Sequence, residues 1–406
     1  MTAAAPPATG GVLPLFRRGE WAVSRDRAAA APGLPAVSLA PEVVIRTDAR
    51  WLRARSTALP DRQRRIGIVR AAWQRFATGT VRCGVPGPQG PGEFAAALWE
   101  GAGLPAPLVG RWLDLLTGLL PDVLREPDRP APADGPPITL VSLPGNTFTC
   151  LESVLRAAVA GGALWVRPST REPHSALRLV AALLEEGWPP ELIGFYPTAR
   201  PALHALVRVT DHQVLYGGAE LAAEFGGLPT AALHGPLRVR AVVAAGADPQ
   251  QAAHRLLDLV AADAGRFCTT VRTVYCLGDP EPVATRLGAL LDGIPLAPAD
   301  PLRPLAAVRD PAEAARTAEY VGRRTGSADR WYTRRPLLDT AGGSTYLAPA
   351  LLGPAPGGGP HPLLGFEPPF PFATVLRATP DQAAALAGDS GITHQVGSPE
   401  PVGSQR

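Results

Sequence analysis

From Ile138 onward the chain alternates short apolar strands with amphipathic helices, and this alternation constrains the fold more than any other feature. Strands are predicted at 138–143, 163–166, 192–196 and 213–216, and helices at 151–160, 175–186 and 220–225. Strands that alternate with helices of about a dozen residues are typical of parallel βαβ units. We therefore predict an α/β protein whose parallel sheet binds ligands at the carboxyl ends of its strands.

A second α/β segment follows the first, and a helical region precedes it. The second segment is predicted as strands at 239–244 and 271–277 with helices at 250–260 and 282–291. Earlier helices are predicted at 61–76, 94–99 and 107–120, and the Pro- and Gly-rich stretch 125–137 is predicted to be a linker. The first forty residues are predicted to be an arm with at most one strand.

Composition excludes several classes of protein. The net charge is only +3, and it arises from arginines scattered along the 406 residues, so nucleic acid is not indicated as a partner. The four cysteines show neither a disulfide framework nor zinc-site spacing. No apolar run reaches the length of a membrane span, and the first twenty residues lack the features of a secretory signal. We expect a cytoplasmic protein that binds neither metal nor membrane.

Cys268 is the candidate nucleophile. The sequence Gly265-Arg-Phe-Cys-Thr-Thr270 places this thiol on a short turn between an amphipathic run and an apolar strand. A thiol that follows a glycine and is flanked by an arginine and two hydroxyl groups is where a nucleophile would be displayed. Cys150 and Cys276 lie in apolar segments and are predicted to be core thiols, whereas Cys83 lies in a Gly/Pro-rich loop.

Three predicted strands end in loops whose residues could bind a ligand, and each has a plainer interpretation as well. Asn146 could donate its amide to a developing oxyanion, or be an ordinary turn residue. Arg167 could meet a ribose or a phosphate, or point into solvent. Gly217 and Gly218 precede a helix and could expose N–H groups to a phosphate, although glycine pairs also end strands for steric reasons.

Taken in this order, five motifs resemble the aldehyde dehydrogenase superfamily. They are Pro144-Gly-Asn146, Arg167-Pro-Ser169, Tyr216-Gly-Gly-Ala-Glu220, Gly265-Arg-Phe-Cys268 and Glu367-Pro-Pro-Phe-Pro-Phe372. They are similar above all to its acyl-CoA or acyl-thioester reductase branch, which includes the long-chain acyl reductases of bacterial bioluminescence. The resemblance covers residues 139–376.

The resemblance implies a Rossmann-type parallel-sheet domain and a second α/β domain that carries the catalytic cysteine. The expected regions are an N-terminal arm and helical region (1–130) that packs on the cofactor domain, a dinucleotide-binding domain (131–235), a catalytic domain (236–375) and a C-terminal tail (376–406). The tail is expected to be disordered from residue 388.

Site roles also follow from the resemblance. Cys268 would be the nucleophile, and Asn146 would form an oxyanion hole with the backbone N–H of Cys268. The residues that would hold the nicotinamide dinucleotide are Arg167, Ser169, Gly217 and Gly218, and Glu367 would bind its nicotinamide ribose. Arg167 replaces the lysine of the family and could tolerate the extra phosphate of NADPH, which we therefore expect as the cofactor, with NADH as the alternative.

One departure from the family pattern bears on the reaction. Hydrolytic members carry a glutamate that activates water, whereas this chain has His234 in the corresponding stretch. Acyl transfer between thiols does not need that water, because a thiolate leaves unaided. His234 could act as an acid or base near the thiol, or be a loop histidine outside the site.

These observations predict NAD(P)H-dependent reduction of an acyl thioester, either acyl-CoA or carrier-bound, to an aldehyde through a thioacyl group on Cys268. One alternative is a non-acylating NAD(P)-dependent aldehyde dehydrogenase, and another is a catalytically silent scaffold with this fold. The expected partners are the acyl thioester and an acid-activating ligase or acyl transferase that supplies it. A homo-oligomer is left open.

Overall fold

The structure is a computed structural model that describes residues 11–28, 35–55, 57–83, 87–129, 136–297, 301–356, 360–387 and 391–397. Contacts divide the chain into two compact units, Met1–Gly235 (unit 1) and Pro236–Arg406 (unit 2). The parts of the predicted arm, linker and tail at 1–10, 29–34, 130–135, 388–390 and 398–406 lie outside the described residues. No helix in the described ranges is both long and apolar enough to cross a membrane.

Unit 1 begins with short strands and helices and continues as alternating βα elements. Its strands are β1 (Val12–Leu13), β2 (Leu15–Arg17), β3 (Glu20–Ala22), β4 (Arg27–Ala28), β5 (Ala36–Ser38), β6 (Val81–Arg82), β7 (Pro88–Gln89), β8 (Ile138–Ser142), β9 (Ala163–Arg167), β10 (Ile193–Phe195), β11 (His212–Tyr216) and β12 (Ala231–His234). Its helices are α1 (Glu42–Arg53), α2 (Arg62–Thr78), α3 (Pro91–Ala102), α4 (Ala106–Val123), α5 (Leu151–Ala160), α6 (His174–Glu185), α7 (Leu203–Val209) and α8 (Ala219–Phe225).

The main sheet of unit 1 has seven strands in the order β12-β11-β8-β9-β10-β2-β3. The strands from β12 to β10 are mutually parallel. The chain runs outward from the central β8 first on one side and then on the other, which is the order of the first five strands of a Rossmann sheet, with the switch point between β8 and β11. The predicted Rossmann-type sheet is therefore confirmed.

Burial on both faces explains why the strands of this sheet are continuously apolar. Every residue of β8 is buried, and Leu140 and Trp165 contribute to a core that α1 and α7 also line. A parallel sheet covered by helices on both faces buries every side chain of its central strands, so the period-two alternation of a half-exposed strand is lost.

The predicted arm, with at most one strand, is wrong for the described residues. β2 pairs antiparallel with β10 through Phe16 and Phe195, and β3 extends the sheet beyond it. Phe16 is fully buried and its ring meets that of Trp21 edge-on, 4.8 Å between centroids. The N-terminal segment thus completes the sheet of unit 1, and its low apolar content hid this in the sequence.

A buried carboxylate ties this N-terminal hairpin to the rest of unit 1. Asp48 on α1 accepts hydrogen bonds from the Nε atoms of Arg17 (2.7 Å) and Arg18 (2.6 Å) and from the hydroxyl of Tyr196 (3.1 Å). Its side chain is 1% exposed. A carboxylate removed from water is tolerated only when charged donors surround it, as they do here.

Unit 2 contains a second parallel sheet. Its strands are β13 (Val239–Val243), β14 (Thr273–Cys276), β15 (Arg330–Trp331), β16 (Leu338–Ala341), β17 (Ser344–Leu347), β18 (Ala350–Gly353), β19 (Phe372–Arg377) and β20 (Ile392–Val396). Its helices are α9 (Pro249–Ala261), α10 (Glu281–Asp292), α11 (Pro311–Gly322) and α12 (Pro380–Ala387). The sheet order is β15-β18-β19-β14-β13-β20, and only β15 runs antiparallel to its neighbour.

The predicted C-terminal tail is wrong for the described residues. β19 continues to Arg377, α12 follows it, and β20 pairs in parallel with the whole of β13. β20 carries polar residues at three of its five positions, Thr393, His394 and Gln395, so its sequence lacks the apolar signal of a strand. As an edge strand it needs fewer apolar side chains than a central strand.

We predict that Asp48→Asn lowers the free energy of unfolding by about 3 kcal/mol, the usual cost of removing one partner of a buried ion pair. The measurement is urea denaturation followed by circular dichroism. The matched control is Glu42→Gln on the same helix, which breaks two exposed pairs, with Arg46 and Arg208, and should cost less than about 1 kcal/mol. Equal costs for the two variants would contradict this account of Asp48.

Candidate active site

The predicted ligand-binding residues of unit 1 gather at one edge of its sheet. Arg167 is the last residue of β9 and lies beside Ser142, the last residue of β8. Tyr216, which precedes Gly217, lies beside His234 at the ends of β11 and β12. Asn146 follows β8 in the loop to α5. All of these positions lie at the carboxyl edge, where sheets of this kind bind ligands.

The loops after β8 and β9 are in close contact. A Cβ added at Gly145 would overlap the hydroxyl of Ser169, so glycine lets the two loops approach closely without moving that side chain. The Ser169 hydroxyl accepts a hydrogen bond from the backbone N–H of Arg171 at 3.2 Å. The half-buried Asn146 is thereby held one residue from the contact between the two loops.

Arg167 is held by neighbours of unit 1. Its Nε donates to the Thr198 hydroxyl at 2.8 Å, and its two terminal nitrogens donate to Ser142 Oγ and to the Thr198 carbonyl, both at 3.2 Å. Burial and the nearby charge of Arg200 lower the pKa of Arg167 to about 10. A guanidinium has five N–H groups, so two remain for a ligand.

The glycine pair after β11 offers less to an anion than its sequence indicated. Gly217 donates its N–H to the carbonyl of His234 at 3.1 Å. Gly218 is the N-cap of α8, where an added side chain would meet no atom within 4 Å. Because α8 has only seven residues, its dipole is small and attracts an anion weakly. What this turn offers a ligand is the open space beside Gly218.

His234 stacks on Tyr216. The two rings are 4.4 Å apart between centroids and inclined by 13°. The hydroxyls of Tyr216 and Ser153 lie 2.8 Å apart, in hydrogen-bonding contact. The residue as a whole is exposed, yet the stacking removes enough water from the ring to lower the pKa of His234 below its ordinary value, so the imidazole is neutral at pH 7.

The turn that carries Cys268 follows an unusual stretch of backbone in unit 2. Asp263, Ala264 and Gly265 have φ angles of 49°, 56° and 66°, and two of the three are not glycine. Such a left-handed run is costly for residues with a Cβ atom. At Gly265 an added Cβ would also overlap the backbone of Phe370 and Pro371. The run reverses the chain after α9 and leaves Cys268 exposed.

A buried arginine joins the Cys268 turn to the segment that carries Glu367. Arg272 donates one terminal nitrogen to the Gly265 carbonyl at 2.6 Å and the other to the Phe370 carbonyl at 3.1 Å. The residue is 3% exposed, and burial lowers its pKa to about 10, against the opposing effects of Glu367 and Cys268. The sequence motifs did not indicate a role for this residue, although a charge inside an apolar strand pattern is a visible signal.

The environment of the Cys268 sulfur favours the protonated thiol. Loss of hydration on the turn raises its pKa first, and the negative charge of Glu367 raises it further. The backbone N–H groups of Cys268 and Thr269 and the charge of Arg272 act in the opposite direction but are weaker. In neutral solution the resting side chain is therefore a thiol, although it is accessible to solvent.

Glu367 lies in the same cluster. It is half-buried and accepts a hydrogen bond from the backbone N–H of Leu237, just before β13. Burial raises its pKa, and Arg272 offsets part of that shift. Glu367 and Cys268 therefore belong to one charged group on unit 2, whereas Asn146, Arg167, Ser169, Gly217, Gly218 and His234 belong to unit 1.

The remaining thiols differ from Cys268. Cys83 and Cys276 are buried, and burial raises the pKa of each to about 12. Cys150 is half-buried at the N-cap of α5, beside Tyr216, rather than inside the core as predicted. Within the described residues, no three His, Cys, Asp or Glu side chains are grouped to hold a metal ion.

Solved structures with the same architecture are aldehyde dehydrogenases. An NAD-dependent benzaldehyde dehydrogenase from Corynebacterium glutamicum matches with a TM-score of 0.76 at 18% identity, over 96% of this chain and 90% of that one. The NAD+ complex of an aldehyde dehydrogenase from Bacillus cereus gives 0.76 at 14% identity, over 97% and 85%. Lactaldehyde dehydrogenase from Escherichia coli gives 0.75 at 16% identity, over 96% and 87%.

These similarities establish that the chain has the aldehyde dehydrogenase fold, as the sequence motifs predicted. No protein-family model and no curated protein matches the sequence. At identities this low the fold is shared while the reaction remains to be argued from the residues of the site.

We predict that Gly265→Ala destabilises the protein by about 2–4 kcal/mol, because a left-handed φ and an overlap with the Phe370 and Pro371 backbone both oppose a Cβ there. The change should also alter the rate at which iodoacetamide alkylates Cys268. Gly246→Ala is the matched control in the same unit, since its added Cβ meets nothing within 4 Å and should cost less than about 0.5 kcal/mol. Urea denaturation compares the two, and similar midpoints would refute the close approach.

Proposed function

We propose that the protein reduces an acyl thioester to an aldehyde, using NADPH in preference to NADH. The observation that supports this most is Cys268, an exposed thiol in a chain with the aldehyde dehydrogenase fold. The same chain has a histidine, His234, where a hydrolytic enzyme would need a carboxylate. In the overall reaction an acyl thioester, NAD(P)H and a proton give an aldehyde, a free thiol and NAD(P)+.

The residues at the carboxyl edge of unit 1 fit a nicotinamide dinucleotide. Arg167 pairs with no carboxylate among the described residues and keeps two N–H groups for a phosphate or ribose. The space beside Gly218 lets a ligand approach the backbone, and Gly145 lets the Ser169 loop close against the loop of Asn146. Arg200 lies near Arg167 but is itself paired with Glu224 at 2.9 Å, so the preference for NADPH rests on the charge of Arg167.

The chemistry divides between the nucleophile and the cofactor. Cys268 attacks the thioester carbonyl, a thioacyl group forms on its sulfur, and the thiolate of CoA or of a carrier protein leaves. A reduced nicotinamide held by the residues of unit 1 would supply the hydride for reduction of this group, and cleavage of its bond to sulfur would release the aldehyde and restore the Cys268 thiol. The roles of Asn146 as an amide donor, of Glu367 as a ribose ligand and of His234 as an acid or base stay predictions.

A thioester substrate agrees with the presence of His234 in place of the glutamate that activates water in hydrolytic enzymes. Transfer of an acyl group from one sulfur to another needs no activated water, because the departing thiolate is stable. A chain without a carboxylate at position 234 would therefore retain thioester exchange and lose efficient acid formation. An acid-activating ligase or an acyl transferase would supply such a substrate.

One observation favours a second function. The exposed imidazole of His234 is neutral at pH 7 and could accept a proton from water, as a non-acylating aldehyde dehydrogenase requires. Such an enzyme would oxidise an aldehyde to an acid without any thiol acceptor. The product distinguishes the two reactions.

We predict that the purified protein, given acyl-CoA thioesters of short, medium and long chain, consumes NADPH and forms an aldehyde. Cys268→Ala should reduce turnover below detection, because the covalent step has no other exposed thiol. The measurement combines NADPH absorbance with aldehyde trapping by a hydrazine, and parallel assays use NADH.

Cys83→Ala is the control for loss of a thiol, since Cys83 is buried and should leave turnover unchanged. Full turnover by Cys268→Ala would exclude Cys268 as the nucleophile. Formation of acid from an aldehyde and NAD+, with no aldehyde from any thioester, would favour the second function.

A further inference from the structure

We propose that Glu367 is the proton acceptor for the Cys268 thiol when its sulfur attacks a carbonyl carbon. This inference rests on the proposed function only in taking Cys268 as the nucleophile. The resemblance to aldehyde dehydrogenases assigned Glu367 to the nicotinamide ribose, and the new role concerns an earlier step.

The topology of unit 2 brings the two residues to the same edge of one sheet. β14 and β19 are parallel neighbours, and Cys268 lies shortly before β14 as Glu367 lies shortly before β19. Both residues therefore lie at the amino edge of the same sheet. The Leu237 N–H that donates to Glu367 precedes β13, the other neighbour of β14, at the same edge.

Hydrogen bonds hold the two loops against each other. Arg272 binds the carbonyls of Gly265 and Phe370, one on each side of the pair. The Gly365 N–H donates to the Thr273 hydroxyl at 3.2 Å, two residues before Glu367. Arg272 is thus a positioning residue that keeps the carboxylate beside the sulfur without reacting itself.

The charges suit a transfer from sulfur to carboxylate. Glu367 raises the thiol pKa, so the resting pair is a thiol beside a carboxylate, while Arg272 counters the negative charge of both groups. Burial raises the pKa of Glu367, which makes it a stronger base than an exposed glutamate. The charges that act on the Cys268 thiol are those of Glu367 and Arg272. Glu367 is in turn influenced by the charge of Arg272 and by the Leu237 N–H.

The step balances without any further reagent. The S–H bond of Cys268 breaks as its sulfur forms a bond to the acyl carbon, and the proton moves to a carboxylate oxygen of Glu367. The bond between the acyl carbon and the leaving group then breaks, and the leaving group takes the electron pair. Glu367 afterwards returns the proton to solvent or to the departing group.

The test compares two reactions of Cys268 in the full chain without cofactor. Iodoacetamide alkylation depends on the thiolate already present. Under this proposal, acylation by p-nitrophenyl acetate also draws on Glu367 as the base during attack, and it releases p-nitrophenolate. Because Glu367 raises the thiol pKa, Glu367→Gln should lower it and speed alkylation near pH 7.5, by about threefold for each pKa unit. The same variant should slow acylation roughly a hundredfold.

Three variants make the comparison specific. Glu367→Asp keeps a carboxylate and should recover part of the acylation rate. Glu319→Gln removes an exposed charge of unit 2 that pairs with Arg323, and should leave both reactions unchanged. Cys268→Ala gives the background. Slow alkylation of buried Cys276, read from the same peptide maps, shows that each variant is folded.

The outcomes separate the possibilities. Faster alkylation with slower acylation in Glu367→Gln supports the proposal. If both reactions accelerate, or if acylation is unchanged, Glu367 acts only through its charge and the proposal fails. If neither changes, the carboxylate does not neighbour the thiol. A wild-type protein acylated by p-nitrophenyl acetate but by no acyl-CoA would overturn the proposed function and leave this test intact.

Discussion

The pair of hydrogen bonds from Arg272 to the Gly265 and Phe370 carbonyls is the interaction on which the candidate site of unit 2 depends. A buried guanidinium needs acceptors on several sides, and here they come from two loops that are about a hundred residues apart in sequence. Satisfying this one charge therefore fixes where both loops lie. Cys268 and Glu367 lie on these two loops, close enough for the charge of Glu367 to raise the pKa of the Cys268 thiol.

The two parallel sheets use opposite edges. In unit 1 the candidate ligand-binding loops follow β8, β9, β11 and β12, at the carboxyl edge, where parallel sheets generally bind ligands. In unit 2 the candidate chemistry precedes β14 and β19, at the amino edge. The left-handed run at Asp263 to Gly265 makes the second arrangement possible, because it ends the α9 crossover early and exposes a turn before the strand begins. The strain is held by packing against Phe370 and Pro371.

The sequence predicted the parallel sheets of both units, and it failed where the local residue pattern carries no information. The continuous apolar runs of β8 and β9 predict a buried parallel sheet because covered strands need apolar side chains on both faces. The hairpin of β2 and β3 and the edge strand β20 were missed, since edge strands can be short and polar. Cys268 was proposed from its flanking residues, whereas Arg272 and the Leu237 N–H could not be assigned roles, because their partners Phe370 and Glu367 lie far away in sequence.

The central claim is that Cys268 accepts an acyl group from a thioester, and a trapping experiment tests it most directly. The protein is incubated with acyl-CoA thioesters and no cofactor, digested, and mapped by mass spectrometry while released CoA is counted. The account predicts one acyl group for each protein chain, on the peptide that contains Cys268, with an equal amount of CoA released. An unmodified Cys268, or an acyl group carried by another residue, would contradict it.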